Sequence, residues 1–168
     1  AGKISLNRIS TAPPPPLSTA ISEPEAKVPG NHSVDMVVIG ISTGGPQALK
    51  RLIPQLPEDF PVPVVMVMHM PIGYTEMYAA KLNELSHLEV REAAEGDEVK
   101  PGRVFLAPAG RHLTLKRDAS GKIVTHLDAR PFDMLHKPAV DVLFKSAAEV
   151  YGNRVLGVVM TGMGSDGK

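Results

Sequence analysis

The stretch from Val37 to Leu56 constrains the fold of this chain more than any other. An apolar run, Val37-Val38-Ile39, ends in Gly40-Ile41-Ser42-Thr43-Gly44-Gly45-Pro46. Directly after it, Ala48, Leu49, Leu52, Ile53 and Leu56 recur at helical spacing. Glycines on both sides of Ser42 let the backbone turn sharply from strand to helix, Pro46 suits a first helical turn, and Pro57 follows the helix end. Val64 to Met68 then supplies a second strand. Both it and Met36 to Ile39 are almost continuously apolar, as strands covered on both faces of a parallel sheet are.

The same alternation continues. A second helix is expected from about Thr75, with Tyr78, Leu82 and Leu85 on one side. A third should run from Pro138 through Val142, Leu143, Ala147 and Val150 to a stop at Gly152, followed by a buried strand from Val155 to Met160. Between them lie shorter strand-like segments, Leu88 to Ala93, Val104 to Ala107, Leu113 to Lys116 and Ile123 to Leu127. Asp118-Ala119-Ser120-Gly121 marks a hairpin between the last two. The expected fold of residues 34–168 is therefore α/β: a doubly wound, mostly parallel sheet with helices on both faces and a short antiparallel excursion. Residues 1–33 differ. They hold Pro13-Pro14-Pro15-Pro16, Pro24 and Pro29 among isolated apolar residues, and read as a disordered, Pro-rich linker to a preceding domain.

Composition narrows the function. With 18 basic and 18 acidic residues among 168, the formal net charge is zero, which argues against a nucleic acid or an anionic membrane as partner. The absence of cysteine excludes disulfides, thiolate nucleophiles and cysteine-ligated zinc. No apolar run has the length of a membrane span, and the start lacks the basic-then-apolar order of a signal peptide, so a cytoplasmic protein is expected.

Strand–helix–strand units bring the C-terminal ends of parallel strands to one edge, where open α/β folds bind ligands. Ser42 follows the first strand, His69 follows Val64 to Met68, and Asp166 lies in the glycine-rich stretch after Val155 to Met160. Hydroxyl, imidazole and carboxylate are the groups of a hydrolytic triad: the imidazole takes the serine proton and the carboxylate orients the imidazole. Each residue also has a plainer role open to it, Ser42 and Asp166 in turns and His69 as a core or capping histidine. The order Ser…His…Asp differs from that of the α/β-hydrolases. His32, His87, His112, His126 and His136 show no metal-like spacing, and only His112 and His136 are retained as pocket residues. A P-loop is excluded because Pro46 and Gln47 stand where Lys and Ser/Thr are needed, although an anion at this helix N-terminus stays open. The two readings are a serine hydrolase without metal or organic cofactor and a non-enzymatic anion- or partner-binding module.

Beyond this point the residues carry a resemblance. Gly40-Ile41-Ser42-Thr43-Gly44-Gly45-Pro46, His69-Met70-Pro71, Ala107-Pro108 with Arg111-His112-Leu113, His136-Lys137-Pro138-Ala139-Val140-Asp141-Val142-Leu143-Phe144, and Thr161-Gly162-Met163-Gly164-Ser165-Asp166-Gly167 follow one another in that order. Together they resemble the catalytic domain of the chemotaxis protein-glutamate methylesterases (CheB type). The resemblance implies a catalytic triad of Ser42, His69 and Asp166, an oxyanion contact from the Met163 backbone N–H, and Thr43 beside the nucleophile. It implies demethylation of glutamyl methyl esters on methyl-accepting chemoreceptors, with deamidation of receptor glutamines in some members. It also implies an N-terminal receiver domain ahead of the Pro-rich linker, and a domain that continues for about another strand and helix past Lys168.

Overall fold

The computed structural model describes residues 33–160 together with Asp166 and Gly167. Residues 1–32 of the expected linker, the Thr161 to Ser165 stretch with Met163, and Lys168 lie outside the described residues.

Five parallel strands form the main sheet: β1 (Met36–Ile41), β2 (Val64–Met68), β3 (Glu89–Glu92), β4 (Arg103–Leu106) and β7 (Val155–Val159), in the order β3-β4-β2-β1-β7. The antiparallel excursion is a separate hairpin of β5 (His112–Arg117) and β6 (Ile123–Asp128). Its turn forms as the sequence requires: the Asp118 carboxylate accepts from the Ser120 and Lys122 N–H groups, and Gly121 takes the left-handed conformation.

The period of two along each strand divides the core between two faces. Val37, Ile39 and Ile41 of β1, with Val64, Met66 and Met68 of β2, pack beneath α1 (Gly45–Leu52) and α2 (Thr75–Leu85). Met36, Val38, Val65, Val67 and Phe105 pack on the opposite face against the hairpin and α3 (Val140–Tyr151). Helix α1 has no side-chain cap at its N-terminus. What retains it is burial: Leu49 is fully enclosed, worth about 1.5–3 kcal/mol, which exceeds the roughly 1 kcal/mol of a missing cap.

The strands at Leu88 to Ala93 and Val104 to Ala107, which the sequence pattern leaves unplaced, join the main sheet as β3 and β4. They run parallel with no helix between them. The connection crosses the face that carries the hairpin, buries Val99 there, and pairs Glu98 with Val124 of β6. Leu85, the last residue of α2, is 46% exposed. One expectation fails. The β7 segment is half-exposed rather than buried: among the described residues it pairs only with β1, and Leu156 and Val159 are 48% and 50% exposed.

The strand order reverses direction at β1. From β1 the chain steps to β2 on one side, and later returns to place β7 on the other. The crevice above the β1 and β7 C-terminal ends is therefore the topological switch point of the sheet, where such folds hold ligands.

Glycines shape this crevice in two ways. Gly44, at φ 80°, makes the turn into α1 in a conformation that residues with a Cβ avoid. Gly40 does not make the turn; it lies within β1, where a Cβ would stand 2.4 Å from Val140 Cγ1. A Cβ on Gly167 would stand 2.6 Å from the same methyl. Val140 is thus wedged between two glycines, and the wedge seats the N-terminus of α3 on the end of β1. Gly40→Ala is expected to lower unfolding free energy by about 1–3 kcal/mol through overpacking. Adding Val140→Ala should give a combined loss smaller than the sum of the single losses, read by urea denaturation; strict additivity would refute the wedge.

Candidate active site

Each chemistry-bearing residue reaches the crevice through its strand. In the β1–β2 ladder Ile41 stands opposite Met68, and the His69 N–H extends that ladder by donating to the Ile41 carbonyl at 3.3 Å. Ser42 and His69, the next residues of the two strands, are consequently neighbours on one rim. The Ser42 carbonyl accepts from Gly45 N–H at 2.8 Å, which closes the turn into α1 and leaves Ser42 half-buried and Thr43 exposed. Across the switch point, the Asp166 carboxylate lies 2.9 Å from His69 Nε2, with the two side chains only 13% and 16% exposed.

Asp166 is held by α3. Its Oδ2 accepts from Val140 N–H at 2.7 Å and its Oδ1 from Asp141 N–H at 2.9 Å. These are first-turn amides with no partner inside the helix, at the end where the helix dipole favours negative charge. The clasp is reciprocal, since Gly167 N–H donates to Asp141 Oδ1 at 2.9 Å. In the neutral tautomer that places a proton on Nε2 toward the carboxylate, the proton-free nitrogen of His69 is Nδ1. That atom is buried and has no partner among the described residues. A buried imidazole nitrogen with a free lone pair, on the rim that also carries a serine, is a chemically suitable proton acceptor.

The two pocket histidines separate. His136 joins the site: its ring stacks on His69 with centroids 4.1 Å apart and planes inclined by 21°. His112 does not. It is fully buried, its Nδ1 accepts from Ala139 N–H at 3.2 Å, and its Nε2–H donates to the Pro131 carbonyl at 3.1 Å. Both of its nitrogens are committed to backbone, so it clamps the 131–139 segment and is not available as a base. His126 lies on the hairpin, where its bond to Glu95, with the Leu127 N–H, holds that carboxyl down to about 2.

A further residue supports the site from below. The Tyr78 hydroxyl in α2 donates to the Pro46 carbonyl at 2.8 Å and so ties the first turn of α1, beside Ser42, to the core. The sequence marks Tyr78 only as a core-facing position. The backbone donors to Asp166 also escape sequence reasoning, because amides carry no residue signature; the only clue is the start of a helix after His136-Lys137-Pro138.

This geometry can now be set beside known proteins. The CheB methylesterase family model matches residues 37–168. The chain belongs to the CheB methylesterase family. It is 48% identical over 161 residues to protein-glutamate methylesterase/protein-glutamine glutaminase 5 of Myxococcus xanthus (strain DK1622), an alignment covering 95% of this chain and 45% of that protein. It is 50% identical over 135 residues to a protein-glutamate methylesterase/protein-glutamine glutaminase of Treponema pallidum (strain Nichols), covering 80% of this chain and 33% of that protein. The fold is similar to the crystal structure of the Thermotoga maritima CheB methylesterase catalytic domain, with a TM-score of 0.76 and 47% identity over 80% of this chain and 71% of that one. The chain spans less than half the length of these curated relatives.

Burial pushes the Tyr78 phenol up to about 12. A phenol raised in this way favours the folded state below its ordinary value near 10, and the benefit is lost as pH rises from there toward about 12. Tyr78→Phe should cost about 0.5–1.5 kcal/mol at neutral pH through the lost hydrogen bond. Chemical denaturation followed across pH should show the wild-type advantage shrinking between pH 10 and about 12; a constant advantage would show that the buried hydroxyl is not its source.

Proposed function

We propose that this chain is a serine-dependent carboxylic ester hydrolase that removes methyl groups from glutamyl methyl esters of chemoreceptors and, like the relatives whose names include protein-glutamine glutaminase, deamidates glutamines. The observation that carries the reading is the state of His69: Nε2 is engaged by Asp166 at 2.9 Å, Nδ1 is buried and unpartnered among the described residues, and the residue itself follows the β2 end directly across from the β1 end that Ser42 follows.

The residues then divide the work. Ser42 Oγ attacks the γ-carbonyl while His69 Nδ1 takes its proton. Asp166 stabilises the resulting imidazolium and holds the ring with Nδ1 toward the serine. Backbone N–H groups at Met163 and near Thr43 receive the developing oxyanion, each worth about 10²–10³ in rate. Methanol, or ammonia from a glutamine, departs with the proton held on His69. Water deprotonated by the same nitrogen attacks the acyl-serine, releasing glutamate and restoring Ser42. The path needs no redox or metal step.

The partner assignments belong to the same reading. They are a methylated chemoreceptor as substrate, an N-terminal receiver domain joined through the Pro-rich residues 1–33, and a cytoplasmic setting. The greater length of the relatives supports the second of these, and among the described residues no helix is long and apolar enough to cross a membrane.

Ser42→Ala should abolish methanol release from methylated receptor while the melting temperature stays unchanged; release at the wild-type rate refutes Ser42 as nucleophile. Asp166→Asn should slow the reaction by about 10⁴-fold, since the amide cannot hold the required tautomer.

A further inference from the structure

The chemistry above uses one imidazole, yet the site contains two. We propose that His136 is a positioning residue: its ring, stacked face to face on His69, fixes the plane in which His69 presents Nδ1 to Ser42. The proposal rests on the serine hydrolase reading.

A hydrogen bond at one edge atom does not fix an imidazole. The ring torsion of histidine is broad, and a ring gripped only at Nε2 can rock about that contact. A second flat ring at 4.1 Å and 21° removes the freedom on one face. Among the described residues the His136 nitrogens take no hydrogen bond, so its face is what it contributes to the site.

The stacking ring is itself held. Gly110 N–H donates to the Lys137 carbonyl at 3.0 Å, one residue beyond the ring. His112 grips the same segment at both ends, through Pro131 and Ala139. The cation of the segment, Lys137 Nζ, lies over the Phe132 ring at 4.9 Å. Backbone contacts therefore set the height of His136, and that height carries through the stack to the base. Misplacement of a reacting group by about 1 Å costs on the order of 10²-fold, so a ring free to rock should show in turnover.

The test separates a flat ring from mere bulk and from a working nitrogen. His136→Leu fills a similar volume without a ring, and His136→Phe keeps the ring without nitrogens. With methylated receptor as substrate, His136→Leu should lower kcat by about 10- to 100-fold with KM within about twofold, and His136→Phe should return kcat to within about threefold of wild type. Wild-type kcat in His136→Leu overturns the proposal. So does a His136→Phe variant as slow as His136→Leu, which would make the nitrogen the working part. A second measurement does not depend on turnover: nitrogen-15 relaxation of the His69 side chain should report a rigid ring in wild type and His136→Phe and a mobile one in His136→Leu. A rigid His69 in His136→Leu overturns the proposal whatever the reaction. Wild-type protein that neither releases methanol nor is labelled on Ser42 by a fluorophosphonate overturns the hydrolase reading, and the presentation role with it.

Discussion

The contact on which the rest of the site depends is the seat of Asp166 on the first turn of α3. Both carboxylate oxygens accept helix amides, and one of them also faces His69. Free N–H groups at a helix start are among the few places where a protein can hold a half-buried negative charge without a cationic side chain, each such placement being worth about 0.3–1 kcal/mol or somewhat more when shielded from water. The position of α3 therefore decides the position of the carboxylate. Val140, locked between Gly40 and Gly167, decides the position of α3. Packing and electrostatics meet at that residue: its methyls set the helix against the sheet and its N–H binds the acid.

The sheet order makes this economical. Since β7 and β2 flank β1, residues that follow the ends of these strands can meet at one edge, as Asp166 and His69 do, although they are distant in the chain. The hairpin packs on the sheet face beside α3, and its buried His112 pins the 131–139 segment that leads into that helix. The two pocket histidines thus hold different ranks, one stacked on His69 and one buried beneath the segment that carries the other.

Much of this was legible in the amino acids. Strands β1 and β2 are readable because they are buried on both faces and so leave unbroken apolar runs, and the shared rim of Ser42 and His69 is readable because both stand where those runs stop. Helix starts and stops followed the prolines and Gly152 closely. What escaped has physical reasons. Val90 and Val104 are apolar in any strand, so local pattern could not tell the parallel β3–β4 pair from a hairpin. The exposure of β7 depends on which strand it neighbours, which composition does not encode. The role of Gly40 changed because a missing Cβ reads the same whether it frees a turn or admits a neighbour. The link between His69 and His136 is a stack across the fold, and such contacts leave no spacing.

The orientation of His69 has a consequence for reach. Of the two ring nitrogens, Nδ1 lies nearer its own main chain, so a carboxylate gripping the far atom leaves the near one on the side of the strand ends. Neighbouring parallel strands are only about 4.8 Å apart. Ser42, the first residue past the end of the adjoining strand, therefore needs neither a long side chain nor a long supporting loop to approach that side of the ring. The ladder between β1 and β2 sets the distance between Ser42 and His69, and whatever shifts that register by one step would separate them.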